Sequence, residues 1–84
     1  MKLQAFSVYD AKAEAFAQPF FEQTTGSAIR AFSDVVNEDG HAFNRHADDY
    51  TLYHIGAFNG ELGRFEEQDP LSLGNALQYK ETPA

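Results

Sequence analysis

The chain has 84 residues, no cysteine and a formal charge of −7, with thirteen acids against six lysines and arginines. A chain this short forms one domain and buries only roughly 60% of its unfolded surface. Without thiols there are no disulfides, thiolate metal sites or cysteine nucleophile, and the acidity argues against a duplex-DNA coat, which draws its affinity mainly from basic side chains.

Residues 2–9, KLQAFSVY, predict a first strand whose alternation is too poor to say which face is buried. Asp10-Ala-Lys-Ala is a polar connector of hairpin length. Residues 14–22, EAFAQPFFE, predict a second strand. Pro19 cannot donate a ladder hydrogen bond, so this strand is either an edge or bulged at the proline. Phe16 and Phe20 are expected on one face and Phe21 on the other, with Phe20 under the helix that follows.

That helix carries the clearest pattern. Ala28, Ala31, Phe32, Val35 and Val36 fall at i, i+3, i+4, i+7 and i+8, and Ile29 widens the stripe. Thr24 or Thr25 is the expected N-cap, and Asn37 to Gly40 the stop, with Gly40 able to take positive φ. Residues 41–49 predict a polar loop pinned by Phe43. YTLYHIGAF, 50–58, predicts the longest strand, Asn59-Gly60 a two-residue hairpin turn, and ELGRFE, 61–66, the returning strand, ended by EQDP. LSLGNALQY, 71–79, is an apolar tail expected to pack back on the domain, and 80–84 to fray. The expected fold is α+β over 1–84: an antiparallel sheet of about four strands, in chain order β-β-α-β-β, with one amphipathic helix on one face.

The composition offers little chemistry. His41, His46, Asp48 and Asp49 lie close in sequence without a compact metal-ligand spacing. Ser7, Ser27, Ser33 and Ser72 lack a nucleophile-elbow context. Neither a metal, a cofactor nor an enzymatic activity is expected. Thr24-Thr25-Gly26-Ser27 opens a helix, where free N–H groups can receive an anion, although an ordinary cap explains the same residues.

What stands out is the ring content, eight Phe and four Tyr. One small core does not easily hide twelve rings, so some are expected at a dimer interface, a partner groove or a stacking surface. The charge is also uneven. Residues 1–33 balance to zero, and the rest, with ten acids against Arg45, Arg64 and Lys80, carries the whole −7. A single-stranded nucleic-acid surface would draw on stacking rings and modest flanking charge. Its candidates are Lys2, Lys12, Phe21, Thr24, Thr25, Arg30, Arg45 and Tyr53, with Phe20 and Tyr50 as further rings of suitable type.

MKLQAFSVYD at the start, QPFFEQTTGSAIRAFSDVVN at 18–37, DYTLYHIGAFNGELG at 49–63 and, more weakly, LGNA at 73–76 resemble the small non-structural protein of gokushoviruses, the single-stranded DNA phages of the microvirus family. Ala47, where proline is expected, and Asn59-Gly60, in place of a more acidic turn, depart from that pattern. The resemblance implies a protein of the infected bacterial cytoplasm, left out of the finished capsid, that binds DNA and helps the switch to single-stranded genome synthesis and packaging. Its charge is reconciled with DNA by a dimer whose neutral N-terminal hairpin and helix start form a shared stacking groove. The competing expectation is a protein–protein module that binds a phage or host replication protein without touching DNA. The opening residues lack the apolar core of a signal peptide and no apolar run approaches the ~18–20 residues that span a bilayer, so no membrane association is expected.

Overall fold

Lys2–Asp10 forms β1, the strand from which the rest is built. The computed structural model describes residues 1–81. Ala15–Phe16 (β2) and Phe20–Glu22 (β3) pair in succession along one side of β1. Tyr50–Asn59 (β4) pairs along its other side, and Arg64–Asn75 (β5) pairs with β4 and forms the outer edge. All pairings are antiparallel, in the order β2-β1-β4-β5 with β3 also beside β1. Thr25–Val36 forms α1, which lies on one face, so the expected α+β arrangement of antiparallel sheet and one main helix is what forms.

The core holds Phe6, Val8 and Leu52 from the sheet against Ala28, Phe32 and Val36 from α1, closed by Ala47 and Ala76. Residues directly opposite in an antiparallel pair share a face, so the helix-side face of β1 carries Lys2, Gln4, Phe6, Val8 and Asp10. Leu3, Ala5, Ser7 and Tyr9 point to the outer face. In its middle β1 is buried on both sides, Phe6 and Val8 under the helix and Ala5 and Ser7 between their strand neighbours, Ala5 beside Phe21 and Ser7 beside Tyr53. Hence its alternation is poor.

The expected second strand is broken in two. From Phe16, opposite Tyr9, to Phe20, opposite Phe6, the chain advances four residues while β1 advances three. The extra residue is a bulge around Ala17–Pro19. It is held by Ala17 N–H donating to the Val8 carbonyl (2.8 Å) and by the buried Ser7 hydroxyl donating to the Ala17 carbonyl (2.6 Å). The bulge corrects one expectation: Phe16 and Phe20 lie on opposite faces, and Phe16 shares the outer face with Phe21.

The hairpin turn also differs. Asn59 pairs with Arg64, so the loop has four residues, not two. The Asn59 carboxamide oxygen accepts from the N–H groups of Glu61 and Leu62, and Gly63, at φ +65, donates to the Asn59 carbonyl. Side-chain capping by Asn59 outcompetes the tight turn, in which glycine follows asparagine at positive φ. The returning strand then runs through the EQDP segment expected to end it, with a bulge over 68–70 opposite Ile55 that absorbs Pro70 and a second at Leu73, between the Tyr53 and Leu52 pairs.

Residues 41–49 are more ordered than a loop. Ala42–Arg45 (α2) is capped by His41, whose Nδ1 accepts from Phe43 N–H, and a 3-10 turn spans Ala47–Asp49. Phe43 packs on Phe32 and Tyr50. In the C-terminal tail, 71–75 completes β5, and Ala76–Tyr79 (α3) folds back with a capping box on Asn75. Asn37 ties it down, its amide donating to the Tyr79 carbonyl and its oxygen accepting from Glu81 N–H. Lys80 donates to the Asn44 carbonyl. Of the segment expected to fray, 82–84 lies outside the described residues.

Burial raises the Tyr50 phenol above its ordinary value of 10.0, and the nearby Asp10 and Asp49 carboxylates add to this, partly offset by Arg45. A raised folded value means the neutral phenol favours the fold below the unfolded pKa, and this contribution is lost as pH climbs through the folded one. Alkaline titration followed at the tyrosinate band should therefore show a late step, with falling stability, that Tyr50→Phe removes. Gly56 sets a second test. A Cβ added there would lie 2.5 Å from the Glu66 carbonyl oxygen. Gly56→Ala should cost about 1–3 kcal/mol in denaturant unfolding.

Candidate interaction surface

Six rings belong to the helix side: Phe6, Phe20, Phe32, Phe43, Tyr50 and Tyr79. The other six, Tyr9, Phe16, Phe21, Tyr53, Phe58 and Phe65, lie on the outer face, where no element of the described residues covers them. They form two groups. Phe16 meets Tyr9 edge-on at 5.0 Å and Tyr53 at 5.3 Å, beside the first hairpin. Towards the β4–β5 turn, Phe65 lies 5.3 Å from Phe58 and 6.5 Å from Phe21, and with Leu3 they enclose a shallow apolar groove. Phe65 is 72% exposed and Phe21 40%. The groove continues past Ala5 and Gly56 to a rim of Glu66, Glu67 and Gln68.

Polarity therefore inverts along the sheet. Near α1, the helix-side face is apolar. Near the β4–β5 turn the same face carries Lys2, Gln4, Asn59, Arg64 and Glu66, with Lys2 paired to Glu66 at 2.9 Å. His54 bridges two strands there: its Nε2–H donates to Gln4 Oε1 (2.9 Å), and the Gln68 amide donates to its Nδ1 (3.2 Å). Over this stretch the rings are on the other face. Each aromatic edge contact contributes about 0.5–1.5 kcal/mol beyond its burial, which holds the groups in shape without removing them from water.

The candidate site residues are spread over both faces. Phe21 and Tyr53 share the outer face, Phe21 in one ring group and Tyr53 in the other. Phe20 and Tyr50 belong to the core layer. Lys2 is on the helix-side face and occupied by Glu66. Lys12 lies in the β1–β2 turn, next to the Tyr9–Phe16 pair, with its N–H held by Asp10. Arg30 is exposed on α1 and Arg45 on α2. Thr24 caps α1, its hydroxyl accepting from Ser27 N–H and donating to Ser27 Oγ, and Thr25 begins the helix. The N-terminal hairpin and helix start thus do not join into one groove of cations and rings. Nor is any group of three or more His, Asp or Glu among the described residues placed to hold a metal.

Sequence reasoning passed over Phe58 and Phe65. A two-residue turn at Asn59-Gly60 would set Phe58 against Glu61, whereas the four-residue loop sets it against Phe65. The signal was Asn59 itself, an asparagine able to cap its own loop.

The family model for the Phage ORF5 protein matches residues 3–79. The chain belongs to this family. It is thus a phage protein, and the matched span includes every one of its rings. No curated protein and no solved structure matches it. No helix among the described residues is long and apolar enough to cross a membrane.

The two neighbouring phenylalanines give a direct check of the face assignment. Phe20→Ala should cost about 3 kcal/mol, the low end for a core phenylalanine because its ring, packed on Phe6 beneath the helix, is only half-buried. Phe21→Ala should stay within about 1 kcal/mol. Chemical denaturation of both variants measures the difference, and equal losses would contradict the assignment.

Proposed function

We propose that this protein is a non-enzymatic accessory factor for single-stranded phage genome synthesis and packaging in the host cytoplasm, acting by docking a protein of that machinery on its outer sheet face. Family membership supports the phage context, and the resemblance to gokushovirus non-structural proteins supports the genome role. The observation that carries the docking reading is the pairing of exposed rings with absent cations. Six rings occupy the outer face, while Lys2 and Arg64 lie on the opposite face of the same strands, Arg30 and Arg45 on the helices and Lys80 at the Asn44 carbonyl, which leaves Lys12 in the β1–β2 turn.

Stacking contributes about 1–3 kcal/mol per base, but single-strand binders combine it with a basic groove that tracks the phosphates. Here the groove is rimmed by Glu67, on the same face as the rings, while the Glu66 carboxylate lies on the other face beside Lys2. A phosphate backbone laid along it would meet like charge. Apolar rings with a polar rim are instead the composition of a protein interface. Self-association through the same face, the dimer expected from the ring surplus, would bring together two chains of −7 each.

Fluorescence anisotropy with a labelled single-stranded oligonucleotide at low salt should give no binding at tens of micromolar protein. Saturable binding that Phe65→Ser weakens would overturn this reading in favour of DNA stacking. In infected cells, a Phe21→Ser/Phe65→Ser gene should lower single-stranded genome yield at least tenfold while duplex replicative DNA stays unchanged. Light scattering should report a monomer, and a dimer lost in the same variant would assign the face to self-association.

A further inference from the structure

The outer rings share their end of the sheet with a second unsatisfied feature. β5 is the last strand in the order, so alternate N–H and C=O groups along it point away from β4 with no strand to receive them. Every residue from Arg64 to Ser72 is exposed. Regular pairing with β4 over Arg64–Glu67 keeps this stretch extended, and the bulge before Pro70 ends it. Pro70 offers no N–H, so the usable edge is 64–68, about 16 Å of strand.

The charge on this edge decides what can pair with it. The turn and edge carry Glu61, Glu66, Glu67 and Asp69 against Arg64. Glu66 is shared with Lys2, while Glu67 and Asp69 have no ion-pair partner among the described residues. Two copies of β5 paired edge to edge would set these acids against each other, and like charges facing across strands are destabilising. The same acids favour an incoming strand bearing lysine or arginine. Such a strand would place alternate side chains over the outer face, where Phe21, Phe58 and Phe65 line the groove.

We propose that the free edge of β5, over 64–68, accepts an extended, lysine- or arginine-bearing segment of a partner protein as an added strand, with the segment's apolar side chains entering the Phe21–Phe58–Phe65 groove. The inference rests on the protein-docking reading and names the partner's chemistry. Strand addition of this kind takes affinity from main-chain hydrogen bonds and specificity from alternate side chains.

The probe is the peptide acetyl-Lys-Val-Lys-Phe-Lys-Val-Lys-amide, titrated into the full ¹⁵N-labelled chain. Two control peptides have glutamate for every lysine, or alternate backbone N-methylation that removes one edge of donors. Amide shifts should concentrate at 64–68 and at Phe21 and Phe58, with amide exchange on β5 slowed severalfold. The acidic peptide should bind at least tenfold more weakly, the N-methylated peptide should lose binding, and Glu67→Lys should weaken the parent about tenfold with an unchanged far-UV spectrum. No saturation at millimolar peptide, shifts centred elsewhere, or equal binding of the acidic peptide would overturn the proposal. If parent and N-methylated peptides bind equally and Phe65→Ser abolishes both, the edge proposal fails while ring-face docking stands. If the peptides fail and the oligonucleotide binds, the docking reading fails as well.

Discussion

A helix of twelve residues is about 18 Å long, and the ten-residue β4 beside it is about 33 Å. One such helix covers about half the length of the sheet it packs on, and the rest of the molecule follows from this mismatch. The longest dimension, 46 Å against 27 and 18 Å, is the sheet extending beyond its cover. Where α1 lies, Phe6, Val8 and Leu52 are buried against it. Beyond it, no helix among the described residues shields the sheet, and the helix-side face turns polar.

The overhang still needs something to keep its strands together, and the rings of the other face do part of this. Phe58 and Phe65 face each other across the hairpin, a cross-strand aromatic pair of the kind that contributes roughly 0.2–1 kcal/mol relative to small residues. Gly56 lets β4 and β5 approach where β4 carries its bulged Ile55. These contacts are modest beside a helix-covered core. Local opening is therefore expected to be easiest at the β4–β5 turn and hardest around Phe6 and Leu52. Such a layout suits a protein whose stable half holds a more yielding half out towards something else.

Much of the architecture was legible because it rests on local rules. The spacing of Ala28, Phe32 and Val36, and the hydroxyl ahead of it, gave the helix and its cap. Phe20 and Phe21 had to face opposite ways because adjacent strand residues always do. The rest depended on information no local window holds. β1 lacks alternation because it is buried twice, once by the helix and once by rings from strands it has yet to meet. The Phe58–Phe65 pair hinges on loop length, which the Asn59 side chain decides. The cations were grouped by composition alone, and composition is blind to faces: Arg30 and Arg45 ended on the helical layer and Lys2 on the polar side of the overhang. The strand past Asp69-Pro70 was missed because proline reads as a terminator, whereas an edge strand with a bulge accommodates it.

The extra residue between Phe16 and Phe20 works like a tooth added to one of two meshed racks. Deleting one residue from 17–19 would bring the racks back into step: Phe16 would still meet Tyr9 on the outer face, but the bulge that carries the Ala17 carbonyl to the buried Ser7 hydroxyl would be gone. Among relatives, this short stretch should therefore resist changes of length more than changes of letter, which is unusual for a segment so exposed.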